Sequence, residues 1–347
     1  MPYRPLYFNQ LWQNYPLKIM VVALLWFIII WSLHHWLNTE SSQRKVVKMG
    51  YMPVVTNFAA PLLDYASLKS NAAVRFKALK FSSFAEMAQA FRNDEIEVAF
   101  IIAPLSIVLR QQGEDVKVVT IGNRHESTFV VHKQLAAKSL KDLVGKTVAV
   151  PMRYSGHNLG LLKAIAEVGL TGQINVVEMN PPDMASALSS GALDGYFVGE
   201  PFAGQTLKSG TADLLFYAED IWPGFICNLV LVKQKFIRED TETVKFLVEG
   251  VVKSGIWAEK NLSSAAAIAS RYWGQPVDLV EYALKTPQGR IVFDQYIPVQ
   301  EELQYMADLM VRFNLIKTAD IDGLVEDRFA REVNTDSVSD LSSILPD

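Results

Sequence analysis

From Arg44 onward, short apolar runs alternate with stretches whose apolar residues recur at helical spacing. That alternation is the mark of βαβ units on a mostly parallel sheet. A first series predicts strands over 46–51, 74–79, 98–102 and 116–121, with helices over 59–67 and 83–92. A further helix starts at Pro104, whose missing N–H costs nothing in a first turn. The run 127–132 is extended and reads as a crossover. A second series predicts strands over 147–150, 174–178, 195–198 and 213–217, with helices over 155–168, 182–190 and 201–208. The long apolar run 225–232 suits a return strand. After it the spacing is helical over 243–257, 263–273, 277–284 and 299–313, the last with Val299, Leu303, Met306, Met310 and Phe313 on one face.

Two α/β series followed by helices predict two lobes. Lobe I takes 44–128 and 230–331, lobe II takes 129–229, and a Ser- and Asp-rich tail at 332–347 reads as disordered. The cleft between such lobes collects the carboxyl ends of parallel strands, where ligands bind in open α/β sheets.

The junction at the head of the second series carries the most pointed chemistry. Strand 147–150 stops at Pro151, and Ser155 can cap the helix that follows, which Gly169 ends in a left-handed turn. The start of that helix offers free backbone N–H groups and a positive dipole end. Arg153, Ser155, His157 and Asn158 all sit there. The dipole should keep His157 neutral, and a bound anion would favour its charged form. The other strand ends bring Tyr51 and Asn57, then Pro104 and Ser106, then Glu200, Pro201 and Phe202. Beside the crossover lie Arg124 and His125. Tyr51 or Phe202 could wall a small ligand. Glu200 would repel an anion unless it pairs with Arg153 or Arg124, or holds a cation. Against this stands the plain reading, in which Pro104 and Pro201 start helices and Glu200 complements a helix dipole.

Before this region, 19–33 is apolar apart from Ser32, and 34–37 extend it to about the ~20 residues that cross a bilayer. We expect a transmembrane signal-anchor over 19–37, a cytoplasmic segment over 1–18 and a polar linker over 38–43. A cleaved signal peptide is the alternative, though no small-residue cleavage pattern follows the run.

Half of the 347 residues are hydrophobic, enough for one large or two medium cores. A net charge of -4 argues against a nucleic-acid partner. The one cysteine, Cys227, lies in an apolar run and reads as a small buried hydrophobe; it leaves no internal disulfide and no Cys-based metal site. The nucleophile elbow, zinc-protease, phosphate-loop and dinucleotide motifs are all missing. We therefore expect a binder rather than an enzyme, with no cofactor.

Gly50-Tyr51-Met52-Pro53, Ala59-Ala60-Pro61-Leu62, Ala103-Pro104, Ser155-Gly156-His157-Asn158-Leu159 and Val198-Gly199-Glu200-Pro201-Phe202 occur in that order. Together they resemble the periplasmic substrate-binding proteins of ABC importers in the nitrate, sulfonate, taurine and bicarbonate family, nearest the nitrate/bicarbonate-like branch. The resemblance spans about 45–331. It implies a type II periplasmic-binding-protein fold, with two α/β lobes closing on a small, anionic solute and docking on a permease that works with an ATPase. It implies a ligand-contact role for His157 and places the lobes in the periplasm, tethered to the inner membrane by the N-terminal helix. Two other readings stay open. One is a tethered sensor without transport. The other is a binder of a thiamine-pyrimidine-type ligand, although a relative that makes that pyrimidine uses a cysteine-rich iron motif this chain lacks.

Overall fold

The structure is a computed structural model, and it describes residues 15–38, 44–336 and 338–345. It divides into two units, 1–44 and 45–347. In the first, α1 (Tyr15–Asn38) runs four residues further at its start than the predicted span. At 1.5 Å per residue its 24 residues measure ~36 Å, longer than the ~30 Å hydrocarbon core. Among the described residues it is the one helix long and apolar enough to cross a membrane. The segment before Tyr15 and the linker over 39–43 lie outside the described residues.

The second unit is built on two five-stranded sheets. The first series gives β1 (Lys45–Tyr51), α2 (Ala59–Lys69), β2 (Val74–Lys80), α3 (Phe84–Arg92), β3 (Val98–Ile102), α4 (Ala103–Gln111) and β4 (Val116–Thr120). The crossing strand β5 (Ser127–His132) leads to β6 (Thr147–Val150), α5 (Gly156–Glu167), β7 (Asn175–Glu178), α6 (Pro181–Ser189), β8 (Gly195–Gly199), α7 (Phe202–Lys208), β9 (Ala212–Tyr217) and α8 (Ala218–Ile221). The chain returns through β10 (Asn228–Lys233) and ends in α9 (Gln234–Glu239), α10 (Thr241–Lys260), α11 (Leu262–Trp273), α12 (Val277–Lys285), α13 (Gln300–Arg312) and α14 (Arg328–Arg331).

The sheet orders are β2-β1-β3-β10-β4 and β7-β6-β8-β5-β9. Neither is wholly parallel. β10 runs antiparallel to β3 and β4, and β5 antiparallel to β8 and β9. Each enters its sheet directly from the other lobe, without the helical crossover that a parallel neighbour needs. The predicted return strand also starts later than expected, because Phe225, Ile226 and Cys227 remain in the junction between the lobes.

One apolar core packs α2, α10 and α11 against the outer face of the first sheet. A second joins Met52, Val54 and Leu303 from the first lobe to Leu159, Tyr196 and Phe202 from the second. The predicted face of α13 supplies Leu303, Met306 and Met310, all buried. Within the tail read as disordered, Val338, Ile344 and Leu345 are buried in the first core. The polar composition of that stretch hides three apolar anchors, and Asp340 and Ser343 cap each other's turn. These anchors dock the tail on α2 and α10.

Candidate functional site

Two consecutive residues just before β5, His125 (φ 69°) and Glu126 (φ 71°), adopt the left-handed conformation that side chains other than glycine seldom take. The kink they make leaves Glu126 wholly buried against the end of β8. Gly199 makes room for it, since a Cβ there would lie 2.9 Å from the Glu126 carboxylate. From the other side α5 arrives with Ser155 capping it, the Ser155 hydroxyl accepting from the N–H of Asn158 at 3.1 Å. Gly156 lets this first turn press on Phe225, whose ring edge is 3.0 Å from where its Cβ would be.

These approaches gather a buried polar cluster at the junction of the lobes. Ser127 Oγ donates to Glu126 Oε1 at 2.7 Å and lies 2.9 Å from His157 Nε2. The backbone N–H of Glu200 donates to Glu126 Oε2 at 2.7 Å. Cys227 Sγ is 3.8 Å from His157 Nε2 and donates to Asn228 Oδ1 at 3.2 Å. Asn228 Nδ2 in turn donates to Asn57 Oδ1 at 2.7 Å, and Asn123 Nδ2 to the Val55 carbonyl at 2.8 Å. The His157 imidazole packs edge-on against Phe197 and Phe225, with ring centres 5.0 and 5.8 Å away. Its Nδ1 and the Asn123 Oδ1 have no hydrogen-bond partner among the described residues.

Burial sets the charge state. It lowers His157 to about 3, so the ring is neutral as expected, though desolvation rather than the helix dipole is the cause. Burial also lifts Glu126 to about 8, against the opposing pull of the Ser127 hydroxyl and Arg290. Glu200 moves up for the same reason, and the Cys227 thiol is pushed well above its ordinary value. The expected partner of Glu200 is neither Arg153 nor Arg124. Its carboxylate accepts from Thr128 Oγ1 at 2.8 Å and from the N–H of Gly204 at 2.7 Å. The nearby cation is Arg290, which donates to Thr128 Oγ1, to the Ser127 carbonyl and to Glu219, and lies 4.0 Å over the Tyr217 ring.

Of the residues singled out from sequence, His157 and Asn57 enter this cluster, Ser155 caps the helix that brings His157 in, and Glu200 adjoins it. The rest are held elsewhere. Arg153 is exposed and lies over the Tyr154 ring, because its N–H binds Glu178 and its carbonyl accepts from Asn158 Nδ2. Arg124 forms a two-pronged pair with Glu302 and donates to the Gly224 and Gln295 carbonyls. His125 Nδ1 meets the Arg290 carbonyl at 3.2 Å. Tyr51 donates to the Tyr272 carbonyl, Ser106 to the Ala103 carbonyl within its own helix, and Phe202 fills the shared apolar core. Pro104 lies in the first turn of α4, at the second position rather than the first, and Pro201 precedes α7.

Sequence reasoning missed Glu126, Ser127, Cys227, Asn228 and Arg290. Glu126 and Ser127 stood in the right loop, but only the left-handed kink turns it into the interior. The cysteine was read as a hydrophobe because its neighbours are apolar. No local pattern marks Arg290.

The lobes touch along this junction. The Val55 N–H donates to the Glu200 carbonyl at 2.8 Å, and Lys208 pairs with Asp278 at 2.6 Å. An open cavity of about 430 Å³ remains between them, lined by Ser83 and Phe84 from the first lobe and by Met152, Glu178, Asn180 and Asp183 from the second. None of the sequence-predicted site residues lines it. Glu126 bonds the serine here, whereas the acid of a hydrolase triad orients the imidazole.

Comparison with known proteins agrees with this architecture. A Bacillus subtilis protein named for binding aliphatic sulfonates is 26% identical over 268 residues, covering 75% of this chain and 78% of its own length. The ligand-binding component of an ABC-type import system from Staphylococcus aureus, solved with zinc bound, has a TM-score of 0.76 at 20% identity, covering 84% of this chain and 100% of that one. The periplasmic nitrate-binding protein NrtA of Synechocystis has a TM-score of 0.73 at 14% identity, covering 84% and 88%. All three are binding proteins, and the two solved structures share the two-lobed α/β fold that the motif resemblance implied. Residues 40–272 match the family model itself, and the chain thus belongs to the NMT1-like family.

Proposed function

We propose that this chain is the solute-binding component of an ABC import system, taking a small anionic solute of the nitrate, bicarbonate or sulfonate type between its lobes and handing it to a permease–ATPase pair. The observation that carries this reading is the buried polar cluster where both crossing segments meet α5. His157 Nδ1 has no partner among the described residues, and with the ring proton on that nitrogen it can donate to an oxyanion guest. The objection that Glu126 and Glu200 repel an anion weakens once burial shifts both toward their neutral forms. Such a guest enters with the lobes apart and is held when contacts from both lobes form. The names of the sulfonate- and nitrate-binding relatives support the solute class.

A thermal-shift screen of the full chain against nitrate, bicarbonate, taurine, alkanesulfonates and small carboxylates tests it. A true solute at a hundred times its Kd stabilises the folded state by about 2.7 kcal/mol. His157→Ala should abolish that shift. A panel with no stabilising member, or an identified solute that stabilises His157→Ala equally, contradicts the reading.

In this proposal α1 remains attached and holds the lobes at the outer face of the inner membrane. The mature protein is then expected to stay with membranes after an alkaline wash and to have a mass that includes residues 15–38. A soluble mature form lacking α1 points to a cleaved signal instead.

A further inference from the structure

Glu126, His157 and Cys227 come from three separate stretches of chain, yet one ligand atom of each lies within 4.8 Å of the others, and all three side chains are buried. We infer that these three residues form a site for one divalent transition-metal ion of the zinc class at the junction of the lobes. The donor set is a thiolate sulfur, an imidazole nitrogen and a carboxylate oxygen, the mixture that suits a borderline ion, where magnesium or calcium would demand oxygen alone. The spacing fits as well. Tetrahedral bonds of 2.3 Å to sulfur and ~2.05 Å to nitrogen place those two donors about 3.6 Å apart. The observed separation of Cys227 Sγ and His157 Nε2 is 3.8 Å.

Charge completes the argument. A thiolate and a carboxylate carry two negative charges that this interior does not otherwise tolerate, and a divalent ion cancels both. Ser127 Oγ donates to the Glu126 carboxylate and so orients that donor, while its 2.9 Å contact with His157 Nε2 gives way to the ion. With three protein ligands a fourth position stays open, the arrangement of sites that admit water or a guest. Position in the fold gives the site a consequence. Glu126 immediately precedes β5 and Cys227 immediately precedes β10, the two crossings between the lobes, while His157 begins α5. An ion here ties both crossings to the second lobe. The sequence-based exclusion of a Cys-based metal site holds for all-cysteine sets and fails for this mixed one.

The test uses the full chain in detergent, stripped with a chelator and titrated with Co²⁺ and then Zn²⁺. One Co²⁺ per chain should bind with a near-ultraviolet thiolate-to-cobalt charge-transfer band, which Zn²⁺ erases. Because the chain has a single cysteine, that band reports Cys227 without any variant. Cys227→Ser should lose the band, and Glu126→Gln should keep it with at least tenfold weaker binding. Titration of the wild-type chain without a thiolate band overturns the inference, as does unchanged affinity in Cys227→Ser. The inference stands apart from the transport reading, and screening the stripped and loaded proteins against the solute panel separates them. Metal uptake with no stabilising solute sinks transport alone, and solute stabilisation without the band sinks the metal site alone.

Discussion

Arg290→Met is expected to destabilise the protein by about 3–5 kcal/mol, the usual cost of breaking a buried ion pair from one side. On a domain of this size that amounts to a fall of roughly 10 °C in unfolding midpoint. The Arg290 side chain is only 4% exposed and forks onto Glu219, with its Nε 2.6 Å from Glu219 Oε1. It also holds the Thr128 hydroxyl and the Ser127 carbonyl and covers the Tyr217 ring. Removing it strands the Glu219 carboxylate, takes a favourable charge away from Glu126 and Glu200, and unties the segment after α12 from the second lobe. Arg290→Lys should recover only part of the loss, because an ammonium cannot reproduce the planar fork. A calorimetric midpoint within 2 °C of wild type for Arg290→Met, on the order of 1 kcal/mol, would show that the cluster does not depend on it.

A second large effect is expected in the first lobe, away from the site. Arg75 on β2 and Asp64 on α2 pair at 2.9 Å with side chains 11% and 6% exposed. Arg75 also donates to Ser67 Oγ and to the Phe76 carbonyl, while Asp64 accepts from the N–H of Ala78 at 2.7 Å. Asp64→Ala should cost about 3–5 kcal/mol, because it leaves a guanidinium buried without a counter-charge. The double variant Asp64→Leu/Arg75→Met should cost much less than the sum of the single changes, since replacing a buried pair by apolar groups is often close to neutral. Denaturant unfolding of the two singles and the double measures the coupling. Additive costs would mean that the pair contributes only through separate hydrogen bonds. Solute binding measured alongside should be unaffected in any variant that folds, because neither residue touches the lobe junction.

The hydrophobic rhythm of the chain was enough to place nearly every strand and helix within a few residues, because burial of one face dictates that rhythm. The cap at Ser155, the left-handed end at Gly169 and the buried face of α13 were legible for the same local reason. The tail was misread because composition averages over the anchors Val338, Ile344 and Leu345.

What the sequence determined by itself was the two-series α/β architecture, the apolar span near the start and the helix that delivers His157, since each is written in short-range periodicity and capping chemistry. Only the tertiary structure decided what His157 meets. Glu126 and Cys227 reach it from positions 31 and 70 residues away along the chain, and such long-range convergence is set by how two sheets close on each other. The same closure removed Arg153 to the surface and made burial, in place of a helix dipole, the force that keeps the imidazole uncharged.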